Sequence, residues 1–150
     1  MPFFYMRKRF VIHEHHARQL HFDLRLEIGG VLKSWAVPKG ISMNPAEKRL
    51  AVAVPDHSLG YIDFVGTISE GSYGAGRVAI WDNGVFETFD NAEESLQKGK
   101  LVFNFYGKKI RGEFSLVKFN NQPKIWLIIK ADDEFADYNW KLETVLEPKK

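Results

Sequence analysis

Residues 20–28 (LHFDLRLEI) alternate strictly between apolar and polar side chains. A two-residue period puts Leu20, Phe22, Leu24, Leu26 and Ile28 on one face of a strand and His21, Asp23, Arg25 and Glu27 on the other. Gly29-Gly30 supplies a two-residue hairpin, and VLKSWAV at 31–37 the returning strand. That register sets Arg25 opposite Ser34 and Asp23 opposite Ala36. Small neighbours leave space above the polar face.

The same reading extends along the chain. FVIH at 10–13, RLAVAV at 49–54, KLVFNFY at 100–106, EFSLVKF at 113–119 and KIWLIIKA at 124–131 read as strands, with Asn120-Asn121 as a turn. RVAIWD at 77–82, Asn83-Gly84 and VFETF at 85–89 read as a second hairpin. Asn44, Pro45 and Glu47 predict a short helix at 45–49, and Asn91 with Glu94 a second one ending near Gly99. Eight or so strands with two short helices imply a mainly β protein with minor α: a curved antiparallel sheet closing into a barrel-like core. With no repeat or linker in the pattern, residues 1–150 are expected to form one domain.

The composition is that of an ordinary globular chain: 150 residues, 45% hydrophobic, 27% charged and 14% aromatic. There is no cysteine, which excludes disulfides, thiolate metal sites and a cysteine nucleophile. The net charge of +2 implies no broad cationic face. Local clusters remain at Arg7-Lys8-Arg9, at Lys108, Lys109 and Arg111, and at Lys149-Lys150. No apolar stretch is long enough to span a bilayer, and the first ten residues reverse the order of a secretory signal. The expected location is the cytoplasm.

Candidate chemistry gathers around His21-x-Asp23-x-Arg25. His13, His15 and His16 lie just upstream, so four of the five histidines fall within nine positions. Two imidazoles and a carboxylate suit a first-row divalent metal with open positions. Spacing alone does not choose the second histidine, and His13-x-His15 is also a possible pair on one strand face. Lys39, Arg49 and the segment Asp56–Tyr61 add cations and His57, which suit an anionic substrate. The glycine-rich run from Gly71 to Gly76 precedes a strand rather than a helix, so it reads as a turn or bulge, not a phosphate loop.

Two other functions fit the residues. His21, Asp23 and His57 imitate the two-His-one-carboxylate triad of a non-haem iron oxygenase. Phe3, Phe4 and Tyr5 beside Arg7-Lys8-Arg9 are compatible with a non-catalytic β-barrel that binds nucleic acid.

The segments HEHHARQLHFDLRLEIGGVLKSWAVPKG and AEKRLAVAVPDHSLGYIDFVGTISEGSYGAGRVAIWDNG, in this order, resemble the 3′-phosphoesterase domain of bacterial DNA ligase D and its stand-alone relatives. The likeness runs from about Phe10 to Gly84. No ligase or polymerase segment is attached, so a free-standing member is expected, for which a separate ligase or polymerase would be a partner. The resemblance implies a barrel-like fold and manganese-dependent healing of nucleic acid 3′ ends. A terminal 3′-ribonucleoside is removed first and the remaining 3′-phosphate second, leaving a 3′-hydroxyl on a primer-template. By position it implies His15, His21 and Asp23 as metal ligands, with Arg25, Lys39, Arg49, His57 and Tyr61 at the other active-site positions. Other divalent first-row metals suit the same ligands. The chain departs from the family pattern at Glu14-His15-His16, where Lys-His-Asp is common, and at Ala53–His57, where His-Val-Glu-Asp-His is common.

Overall fold

The computed structural model describes residues 6–71, 74–119 and 121–146. The aromatic run Phe3-Phe4-Tyr5, the Lys149-Lys150 pair, Asn120 and two positions of the glycine-rich run lie outside them. Nine strands are described: β1 (Met6–His16), β2 (Leu20–Ile28), β3 (Val31–Val37), β4 (Arg49–His57), β5 (Gly66–Ile68), β6 (Gly76–Thr88), β7 (Lys100–Tyr106), β8 (Arg111–Lys118) and β9 (Ile125–Lys130). One α-helix, α1 (Ala92–Lys98), and a 3-10 helix (Leu59–Asp63) accompany them.

The strands run antiparallel in the order β1-β2-β3-β4-β9-β8-β7-β6, and β6 pairs back onto β1, so eight strands close a barrel. β5 lies outside it, paired to the first residues of β6. The alternation on β2 holds: Phe22, Leu24 and Leu26 point inward and join Phe10, Phe86, Phe103, Phe105, Phe114 and Leu116 in one aromatic-rich core. No helix among the described residues is long and apolar enough to cross a membrane.

Ile28 pairs with Val31, so Gly29-Gly30 is a two-residue turn, with φ of 65° and 82° that glycine adopts without strain. Arg25 lies opposite Ser34 and Asp23 opposite Ala36, as the pattern predicts.

Two local expectations are overturned. Asn83-Gly84 is not a turn, because β6 runs through it as one strand of 13 residues. β1 pairs with that strand from Arg77 to Thr88 on both sides of the dipeptide, and a Cβ on Gly84 would run into the Tyr106 carbonyl of β7. The glycine serves close backbone approach rather than reversal. Residues 45–49 form only a turn. Asn44 Oδ1 accepts from Ala46 N–H as a cap would, but Arg49 already enters β4. The helix at α1 is as expected, with Asn91 accepting from Glu94 N–H and Gly99 closing the last turn.

Candidate metal centre and anion pocket

The polar face of β2 points out of the barrel, where a strand face would ordinarily be wet. Here it is covered. After β4 the chain forms the 3-10 helix, then β5, then the glycine-rich loop back into β6, and this segment lies over the outer faces of β1 to β3. Val11, Leu32 and Ile62 make a small second core beneath it. Asp23 and Arg25 are consequently only 5% and 4% exposed, and His13 is fully buried.

The β1–β2 register sets His15 opposite His21 and His13 opposite Asp23. Opposed residues share a face, so His15, His21 and Asp23 converge. His15 Nδ1 lies 3.2 Å from His21 Nε2. Asp23 Oδ2 lies 3.4 Å from the first and 3.3 Å from the second. Donors sharing one divalent ion at about 2.1 Å stand roughly 3.0–3.4 Å apart in octahedral or tetrahedral geometry. The three atoms already hold that spacing.

The outer nitrogens of the two rings fix their tautomers. His15 Nε2 lies 2.7 Å from the Gly74 carbonyl, and His21 Nδ1 lies 3.1 Å from the Gln19 carbonyl. Carbonyls only accept, so both outer nitrogens carry protons, and the inner nitrogens face Asp23 as donors in a protonated ring and as lone pairs in a neutral one. Histidine ligands are oriented by this kind of outer bond. The donor set therefore fits a divalent cation.

Arg25 is held beside this triangle by several partners. Its Nε–H donates to His13 Nδ1 at 3.0 Å and its Nη1 to Ser34 Oγ at 2.9 Å. Nη2 stands 3.4 Å from Asp23 Oδ2, and the guanidinium carbon lies 5.0 Å from the centre of the Tyr61 ring. Tyr61 itself stacks on Phe64. His57 Nδ1 has two competing partners, Arg25 Nη1 at 3.2 Å and the Pro55 carbonyl at 3.1 Å, so its tautomer can switch between them. A cavity of about 290 Å³ opens among His15, His21, Asp23, Arg25, His57 and Tyr61, with Val54, Pro55 and Ile68 as apolar walls.

Electrostatics follow from burial and neighbours. Burial alone would raise the Asp23 carboxyl, but bonds from His15 and His21 and the charge of Arg25 outweigh it and hold Asp23 far below the usual carboxylate range. His21 is raised, because the bond to Asp23 and its charge overcome the cost of burial. Burial, then Arg25, lowers His57; burial also raises the Tyr61 hydroxyl. His13 is pushed down to about 4 by burial and by Arg25.

Six of the eight residues singled out in the sequence line this pocket. Lys39 and Arg49 do not: with Lys48 they line another recess, where Arg49 Nη2 is 3.3 Å from Glu47 Oε1. Both follow or precede strand ends at the His21 end of β2. His16 is turned away and meets Glu14 at 2.7 Å. Sequence reasoning missed Ser34 as an arginine partner, the Gly74 carbonyl as the acceptor for His15, and the bonding of His13. For Ser34 the hairpin register was a usable signal. For the other two the partners lie 51 or more residues away.

The model of the family described as the DNA ligase D 3′-phosphoesterase domain matches residues 13–118. The chain is 48% identical over 127 residues to the multifunctional non-homologous end joining protein LigD of Pseudomonas aeruginosa, covering 83% of this chain and 15% of the relative. It is 43% identical over 134 residues to the protein of that name from Mycolicibacterium smegmatis, covering 84% of this chain and 17% of the relative. It is 45% identical over 118 residues to the LigD DNA repair protein of Mycobacterium tuberculosis, covering 79% and 15%. The chain thus spans about a sixth of the length of these relatives.

Proposed function

The chain belongs to the DNA ligase D 3′-phosphoesterase domain family, and from that membership we propose a manganese-dependent enzyme that heals the 3′ ends of nucleic acid strands. It removes a 3′-terminal ribonucleoside as a phosphodiesterase and then the 3′-phosphate as a phosphomonoesterase, leaving a 3′-hydroxyl. The relatives are non-homologous end joining proteins by name, and the same setting, with a ligase or polymerase as partner, is proposed for this chain. The observation that carries the reading is the triangle of His15, His21 and Asp23 beside a buried arginine, with both ring tautomers fixed by carbonyls.

His15, His21 and Asp23 would hold the ion. When bound it would supply Lewis acidity at a phosphate oxygen and lower the pKa of a water nucleophile. Arg25 grips the other phosphate oxygens and offsets charge that develops in the transition state. Its guanidinium is already fixed, so little reorganisation is needed when the phosphate arrives. His57 contacts the phosphate and, once protonated, gives its proton to the leaving oxygen. The lowered pKa makes it a willing donor, and an incoming phosphate dianion favours the charged form. Tyr61 hydrogen-bonds the phosphate and braces Arg25 through its ring face. Lys39 and Arg49 act from the neighbouring recess on the phosphates of the strand leading into the pocket.

The test uses purified protein with manganese or EDTA on a labelled primer-template ending in a ribonucleoside 3′-phosphate. Release of phosphate and nucleoside with manganese, none with EDTA and none from Asp23→Ala is the expected result. Metal-independent release, or equal rates in Asp23→Ala, refutes the proposal. The oxygenase and the non-catalytic readings have no observation in their favour comparable to the anchored arginine.

A further inference from the structure

Of the four clustered histidines, His13 is the one both fully buried and outside the metal triangle. Both its nitrogens are engaged. Arginine can only donate, so the 3.0 Å bond from Arg25 Nε–H makes His13 Nδ1 an acceptor and places the ring proton on Nε2. That proton is donated to the Phe64 carbonyl at 3.1 Å. Phe64 caps the 3-10 helix that carries Tyr61, and Tyr61 packs against the other side of Arg25. One ring thus joins the metal-bearing strand, the arginine and the covering segment.

Resting on the phosphoesterase reading, we propose that His13 is a positioning residue: it holds Arg25 in its phosphate-gripping orientation and ties the Tyr61 segment over the pocket. Arg25 has Ser34 and Asp23 as further anchors, but these engage the terminal nitrogens. Among the described residues His13 is the partner of Nε, and it adds a third edge contact to the two that restrain the guanidinium plane. Without that acceptor the buried Nε–H is orphaned, and the arginine turns to satisfy it elsewhere. Among the described contacts His13 makes no hydrogen bond to His15, His21 or Asp23 and reaches the triangle only through Arg25, so manganese affinity should change far less than phosphate affinity.

The test combines the tautomer with a pair of variants. In metal-free wild-type protein, nitrogen NMR is expected to show His13 protonated at Nε2 and bare at Nδ1; the reverse pattern overturns the proposal. His13→Leu is expected to weaken binding of inorganic phosphate at least tenfold and to lower kcat/KM on a 3′-phosphate primer by a similar factor, with manganese affinity within twofold of wild type. His13→Gln offers a carbonyl to Arg25 and an N–H to Phe64, and is expected to restore phosphate affinity to within threefold. Wild-type phosphate affinity in His13→Leu, or a glutamine variant no better than leucine, overturns it. If His13→Leu does not fold, the glutamine variant and the wild-type tautomer still decide. If the wild-type protein releases no phosphate from the primer, the enzymatic reading fails, while tautomer and phosphate affinity still report on His13.

Discussion

Manganese and protons should compete for His21, and the competition gives opposite pH responses to the metal-free and metal-loaded protein. In the metal-free protein the His21 pKa is raised by Asp23. The pair therefore contributes stability that is full below the unfolded imidazole value of about 6.5 and is lost as pH rises through the folded value. Asp23 is lowered, so its own contribution is present above about 3.9 and is lost only as pH falls through its folded value, leaving neutral pH untouched. A metal ion must expel the His21 proton, so its apparent affinity rises up to tenfold per pH unit until His21 is neutral. With the ion at about 100 times its dissociation constant, binding stabilises the fold by about 2.7 kcal/mol. At roughly 2–4 °C per kcal/mol for a chain of this size, that is about 5–10 °C in Tm. A tenfold loss of affinity removes about 1.4 kcal/mol, half of the gap. Thermal unfolding from pH 5.5 to 8.5 with fixed manganese or with EDTA should show the gap closing toward acid, and closing by less per unit above the folded pKa of His21. Asp23→Asn removes the cause of the raised pKa and one ligand charge, so its gap should be smaller throughout. A gap that is constant with pH, or that widens toward acid, refutes the assignment of His21 as a ligand.

Three further outcomes follow from particular contacts. Arg49→Lys should slow phosphate release about tenfold or more with manganese affinity unchanged, since a point charge loses the two-pronged phosphate contact; steady-state kinetics with manganese titration checks this. Gly84→Ala forces a Cβ onto the Tyr106 carbonyl and should cost about 2–4 kcal/mol, measured as a lower midpoint in urea. Glu14 is fully buried and accepts from Val145 N–H at 2.7 Å and Leu146 N–H at 2.8 Å. Glu14→Ala should release this C-terminal segment at a cost of about 2–4 kcal/mol, seen as faster proteolytic cleavage after residue 130.

The parts of the site that the sequence makes legible are those governed by local geometry. A two-residue period and a two-residue glycine turn are enough to put His21, Asp23 and Arg25 on one face and to set Ser34 opposite Arg25, because neither depends on distant chain. The same local grammar fails at Asn83-Gly84, where the dipeptide has the composition of a hairpin turn but the pairing of β1 on both sides of it carries the strand through. At 45–49 the cap residue is right, yet the next strand begins before a turn of helix can follow.

What decides the chemistry is not local at all. Among His13, His15, His16 and His21, composition and spacing are equivalent; the rings differ in the partners that face their nitrogens. The Gly74 carbonyl, 59 positions away, orients His15 with Nδ1 toward Asp23, whereas His13 has the Arg25 Nε–H at one nitrogen and the Phe64 carbonyl at the other. The glycine-rich run, read from sequence as mere turn, supplies the carbonyl that sets one of the tautomers. The covering segment thus does two jobs with one backbone: it removes water from Asp23 and Arg25, and its Phe64 and Gly74 carbonyls hold His13 and His15 in the same tautomer, so what the strands set opposite Nδ1, the Arg25 Nε–H for His13 and Asp23 with His21 for His15, separates the two rings.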